Sequence, residues 1–169
     1  MPTHWPAGIG IKAAFALAPT SNWDNEPVTK TPFAVMWGTC DAVNTGSYFE
    51  DNRDANRAPL YKYAPSGGNH DYYNRQWSPS SGQVAAHDDA QPGTRPGTCA
   101  SQYYGQNHPQ VDQPRLGEHD QRLVTEHRVT AFFERFLQSR AGRQPYLTGE
   151  RPFHGERAGA TDSAYDSGS

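Results

Sequence analysis

Three short apolar runs, each cut off by proline or glycine, constrain this chain more than any other feature. Ile11 to Ala18 is closed by Pro19, Pro32 to Trp37 by Gly38, and Pro59 to Ala64 by Pro65 and the Gly67-Gly68 pair. Each run has the length of a strand, and near-continuous apolar character at that length suits strands covered on both faces. A polar loop, Thr20 to Thr31, separates the first two. The segment from Ser47 to Ala58 alternates in charge and reads as a short helix or an irregular crossover. Later, Leu116 to Arg140 places Val129, Phe132, Phe133, Phe136 and Leu137 on one helical face, with Gly142 as the stop. Strand, crossover, strand, crossover, strand, then an amphipathic helix is the α/β class. The expected architecture is a layered one with about three parallel strands, a long loop and a C-terminal helix.

The composition limits how much core such a layer can own. Hydrophobic residues make up 34% of the 169, mean hydropathy is −0.90, and there are 16 glycines and 14 prolines. That describes one loop-heavy domain with a thin core. The aromatic share of 12% argues against wholesale disorder. Residues 1–155 are read as the domain, with 78–115 as its long loop, a segment dominated by Pro, Gly, Gln, Asp and Ser. Residues 156–169 are read as a flexible tail that frays. A net charge of −3 with no basic run leaves no electrostatic footprint for nucleic acid. No apolar run is long enough to span a bilayer, and Met1 to Gly10 lacks the pattern of a signal peptide.

Two residues stand where chemistry is expected in such a sheet, just past the carboxyl ends of strands. Asp41 follows the second run in Trp37-Gly38-Thr39-Cys40-Asp41, and His70 follows the third in Gly67-Gly68-Asn69-His70-Asp71. A histidine acting as general base needs a neighbour that fixes its tautomer and stabilises the imidazolium, and a carboxylate on the adjacent loop does so. Singly, either residue is more simply a turn or cap residue; the ordered pair carries the weight. Tyr72, Tyr73, Trp77, Tyr103 and Tyr104 are equally pocket walls beside His70 or packing for the long loop. His87-Asp88-Asp89 reads as a solvated loop rather than a metal site, because adjacent ligands on one loop rarely converge. His119 and His127 read as surface or rim residues of the helix. No metal or other cofactor is expected. Cys40 and Cys99 either pair or remain free thiols. The bridge is favoured because Cys99 lies in a Gly/Pro-rich segment with little else to hold it, and closing a loop of about 60 residues is worth roughly 4 kcal/mol.

Gly38-Thr39-Cys40-Asp41 resembles the acid turn of α/β-hydrolases, and Gly68-Asn69-His70 resembles their histidine loop. The wider text is similar to secreted bacterial members related to the lipase, cutinase-like and dienelactone-hydrolase groups. The shared features are the strand ending Leu17-Ala18-Pro19, the Cys-Asp turn, the segment Gly67 to Asn74 and the late helix around Ala131 to Leu137. The resemblance runs from about Ile11 to Pro152 and implies a partial α/β-hydrolase fold. It also implies an extracellular setting and an ester hydrolase acting on small-molecule, lipid or polyester esters through a Ser-Asp-His triad. Asp41 and His70 would be the acid and the base. The pattern departs at one decisive place, for no Gly-x-Ser-x-Gly turn occurs in the sequence and the oxyanion-hole loop is missing. The chain is therefore similar to the C-terminal half of such an enzyme, with an N-terminal half supplying the serine. On that reading the Ile11–Ala18 strand has an open edge prone to association. The alternative is a catalytically inactive binding or interaction module, for instance one holding carbohydrate on its aromatic-rich loops.

Overall fold

Phe33 to Met36 is the most deeply buried of the apolar runs, and the sheet is assembled around it. The computed structural model describes residues 8, 10–19, 28–43, 48–77, 79–81, 95–100, 111–154, 156 and 161–168. The runs become β1 (Ala14–Leu17), β2 (Phe33–Met36) and β3 (Leu60–Pro65), paired in parallel in the order β1-β2-β3. Every residue of β2 is buried, as a central parallel strand requires. Its side chains alternate between two apolar layers. Phe33, Val35 and Trp37 meet Leu60, Ala64 and Phe49 of α1 (Tyr48–Arg53) on one face. Ala34 and Met36 meet Tyr61, Tyr63, Ala131 and Phe132 on the other. The result is a mixed α/β fold with a mostly parallel sheet.

Helix α2 (Glu118–Leu137) covers the second face, but its buried side is rotated from the one its phenylalanines mark out. Gln121, Thr125, Arg128, Ala131 and Phe132 are buried, whereas Leu137 is 56% exposed. The polar members of that stripe all have work. Arg128 bonds both carboxylate oxygens of Glu156 at 2.8 and 3.0 Å, donates to the Tyr146 carbonyl, and lies over the rings of Tyr63 and Phe153. Both members of this ion pair are almost wholly buried, so their mutual attraction offsets part of the hydration each has lost. Tyr63 donates to the carbonyl of Leu147 in the short α3 (Gln144–Leu147), which packs alongside.

Two segments hold strands that the sequence patterns did not single out. The segment read as a fraying tail holds a strand over Thr161–Asp166 that pairs antiparallel with β3 along its whole length. Tyr165 packs on Tyr61 at 4.9 Å, and Asp162 lies 3.7 Å from the Lys62 ammonium. A β3 edge that would otherwise be open supplies the hydrogen-bonding template that this polar sequence does not advertise. The long loop is also not wholly irregular. Within it, β4 (Thr98–Ala100) and β5 (Asp112–Pro114) form a two-stranded antiparallel ribbon, so the Thr161–Asp166 strand is β6. Most of the rest of that loop, and most of the 20–31 loop, lies outside the described residues.

The expected Cys40–Cys99 bridge is present, with Cα atoms 5.8 Å apart and both residues fully buried. It ties the turn after β2 to the β4–β5 ribbon across 59 positions of sequence. Loop-closure entropy puts such a bridge at about 4 kcal/mol. Urea unfolding with and without reductant, or of Cys99→Ser, should show a loss of that order. Coincident midpoints would mean that the bridge contributes nothing to stability.

Candidate active site

The site is built by letting β2 and β3 continue side by side past their last paired residues. Trp37 donates to the Tyr63 carbonyl at 3.1 Å, Thr39 to that of Pro65 at 3.1 Å, and Cys40 to that of Gly68 at 2.8 Å. This continuation needs a residue without a side chain at position 38, where a Cβ would run into the Gly68 carbonyl. Gly67 is the second obligatory glycine. Its φ of +79° is one that other residues rarely adopt, and a Cβ there would meet the Pro114 carbonyl. Between them, the two loops are drawn together without a spacer.

Asp41 and His70 come together at the end of this paired segment. The Asp41 side chain has no solvent exposure, and one of its oxygens accepts the Val43 N–H at 2.8 Å. The other oxygen lies 3.0 Å from His70 Nδ1. A carboxylate can only accept, so Nδ1 carries the shared proton. In the neutral ring Nε2 is then the nitrogen that carries the basic lone pair. The His70 side chain is 15% exposed. Trp77 stacks near-parallel to the imidazole at a centroid distance of 6.1 Å and is itself 42% exposed.

The other aromatic candidates divide. Tyr72 is half-buried, and its N–H is held by the Asn69 side chain at 3.0 Å. Tyr73 turns inward and packs against the core beneath α2, and its hydroxyl is buried with no hydrogen-bond partner among the described residues. Burial, and secondarily the Asp41 charge, push that hydroxyl's pKa well above 10. Tyr103, Tyr104 and the His87-Asp88-Asp89 segment lie outside the described residues. His119 is exposed, and His127 is half-buried and stacks on Phe153 at 5.0 Å.

Three polar residues that the sequence did not single out brace the dyad. Thr39 Oγ1 accepts the Gly67 N–H at 2.9 Å and the Gln113 side-chain amide at 2.8 Å, linking the acid turn, the histidine turn and β5. Gln121 accepts from the Asn69 N–H at 2.9 Å and donates to the Asn69 carbonyl at 2.7 Å. A signal for Gln121 existed in the sequence. Gln121, Thr125, Arg128 and Phe132 follow helical spacing, so they extend the apolar stripe with polar residues that would have to be buried.

Among the described residues no group of three or more His, Cys, Asp or Glu converges as metal ligands, and no helix is long and apolar enough to cross a membrane. Both cysteines are in the bridge, so neither is a thiol nucleophile. No family model, curated protein or solved structure matches this chain significantly.

Tyr73 yields a test of the packing under the acid. Phe at position 73 removes a buried hydroxyl without a partner, so Tyr73→Phe should leave stability at pH 7 unchanged or raise it by about 1 kcal/mol. The alkaline limb gives the second readout. The folded state keeps this proton well above pH 10, whereas the unfolded chain releases it near 10. The wild-type protein therefore loses stability as pH rises past 10, and Tyr73→Phe should lose less. Denaturant titrations at pH 7 and above pH 10 check both, and a substantial destabilisation at pH 7 would show that the hydroxyl makes a stabilising contact.

Proposed function

We propose that Asp41 and His70 are the acid and base of an α/β-hydrolase-type ester hydrolase whose nucleophilic serine is supplied from outside this sequence. The observation that carries the reading is the bond from His70 Nδ1 to the buried Asp41 carboxylate, at the carboxyl ends of adjacent parallel strands. Support also comes from the text around the two residues, which resembles the acid and histidine loops of that family. In this mechanism His70 Nε2 takes the serine proton as the oxygen attacks the ester carbonyl. Asp41 stabilises the imidazolium, which then protonates the departing alcohol, and a water molecule activated by the same nitrogen releases the acid. Trp77, stacked beside the imidazole, would flank an acyl or alcohol group there. The natural route for the serine is a further parallel strand beside β1, which pairs only with β2 among the described residues. A buried disulfide is in keeping with the extracellular setting that the resemblance implies.

A fluorophosphonate probe separates the half-site from a complete one. The chain alone should not be labelled, and it should be labelled when combined with a segment carrying a Gly-x-Ser-x-Gly turn. In that combination Asp41→Asn should lower turnover by roughly 10⁴-fold, because the imidazole loses its tautomer control. Labelling of the chain alone at a residue of its own would overturn the half-site.

The exposure of Trp77 favours one second reading, a binding surface for soluble glycans. If that is the function, the chain is retained on a glycan matrix and Trp77→Ala abolishes retention. Passage at the void volume in both cases removes this alternative.

A further inference from the structure

We infer that Gln121 is a positioning residue for His70, holding the histidine loop at the distance from Asp41 that the dyad requires. The inference rests on the reading of Asp41 and His70 as acid and base. It adds a residue on a different element, 80 positions from the acid, that acts through the backbone.

Past Pro65 the chain leaves β3, and among the described residues no strand pairs with the backbone groups of Asn69, although Asn69 is only 4% exposed. Buried amide groups must find partners or cost about 1–3 kcal/mol each. Gln121 supplies both, with its carbonyl oxygen on the Asn69 N–H and its amide on the Asn69 carbonyl. A primary amide carries one acceptor and one donor side by side, so it imitates the edge of a neighbouring strand at this one residue. Gln121 is itself wholly buried, so water does not compete for either bond.

Asn69 passes this constraint forward. Its side-chain oxygen accepts the Tyr72 N–H at 3.0 Å and so starts the 3₁₀ turn over Asp71–Tyr73. His70 thus sits between a backbone clamped by Gln121 and a turn nucleated by the same asparagine. The Oε1 atom would also lie 3.3 Å from a Cβ at Gly68, which places the amide directly against the glycine pair that joins the two loops.

The clamp is useful only if the helix carrying it is fixed. Two turns further along the same stripe, Arg128 is locked by Glu156, by the Tyr146 carbonyl and by two aromatic rings. Thr125, between them, donates to the Gln121 carbonyl at 2.7 Å. Helix α2 is therefore anchored to the core at one end of the stripe and grips the histidine loop at the other.

The readout is the His70 Nδ1 proton, which requires no nucleophile. In the full chain this proton should give a resolved downfield NMR resonance, and Asp41→Asn, in which the acceptor is weakened, identifies it. Gln121→Leu keeps the volume and removes both bonds. It should abolish the resonance or speed its exchange with water at least tenfold, while β2 amides stay protected. Gln121→Glu keeps the acceptor and loses the donor, and its exchange rate should lie between those of wild type and Gln121→Leu. A folded Gln121→Leu with an unchanged resonance overturns the proposal and leaves Gln121 as packing. If Gln121→Leu does not fold, Gln121→Glu decides, and an unchanged exchange rate there overturns it equally. In the serine-complemented protein the same variants should lower kcat with KM unchanged. Failure of complementation with the resonance effect intact would count against the ester-hydrolase reading alone.

Discussion

With no side chain on either residue, the backbones at Gly38 and Gly68 approach closely enough for the two strand ends to go on bonding beyond the sheet. Three hydrogen bonds, from Trp37, Thr39 and Cys40, carry β2 alongside β3 and its turn until Asp41 and His70 are reached. Everything at the site depends on this. A methyl group at position 38 would run into the Gly68 carbonyl and the Asn69 N–H, so the two loops would have to shift apart.

Around that contact the chain invests its few strong constraints in one place. The Cys40–Cys99 bridge holds the acid turn to the β4–β5 ribbon, and Gln113 of that ribbon reaches Thr39 and, at 2.8 Å, Ser66. Leu116, just before α2, donates to the Gly67 carbonyl at 2.7 Å. Gln121 grips Asn69 from the helix itself. A protein with a thin apolar core has little packing energy to spare for fixing loops. Directional bonds and a covalent link do that work here, since each holds a geometry that dispersion alone would leave loose.

The same economy explains the polar stripe of α2. Burying Arg128 and Glu156 is costly in isolation, and an apolar pair of equal volume could be as stable or more so. What the ion pair adds is register. Nη2 bonded to both Glu156 oxygens and Nη1 bonded to the Tyr146 carbonyl hold the helix at the rotation in which Gln121 meets the histidine loop. The exposed Leu137 and half-buried Phe133 and Phe136 are the consequence, because the helix is turned toward its polar anchors instead of its most apolar side.

The sequence by itself determined the three parallel strands and the positions of Asp41 and His70 just past two of them. Runs such as Phe33–Met36 can be strands only if both faces are covered, and the Gly and Pro stops put Asp41 and His70 at their ends. Those are local rules of length, periodicity and turn chemistry, and they hold without any neighbour. β6 was invisible because Thr161–Asp166 has no apolar pattern of its own and becomes a strand only against β3. Helical spacing puts Gln121, Arg128 and Phe132 on one face of α2, but the burial of the two polar residues makes sense only once Glu156 and Asn69, distant in sequence, are in place to receive them. The identities of Asp41 and His70 are thus written in the chain, but the 3.0 Å between them belongs to the tertiary structure, because no local rule brings two strand ends together.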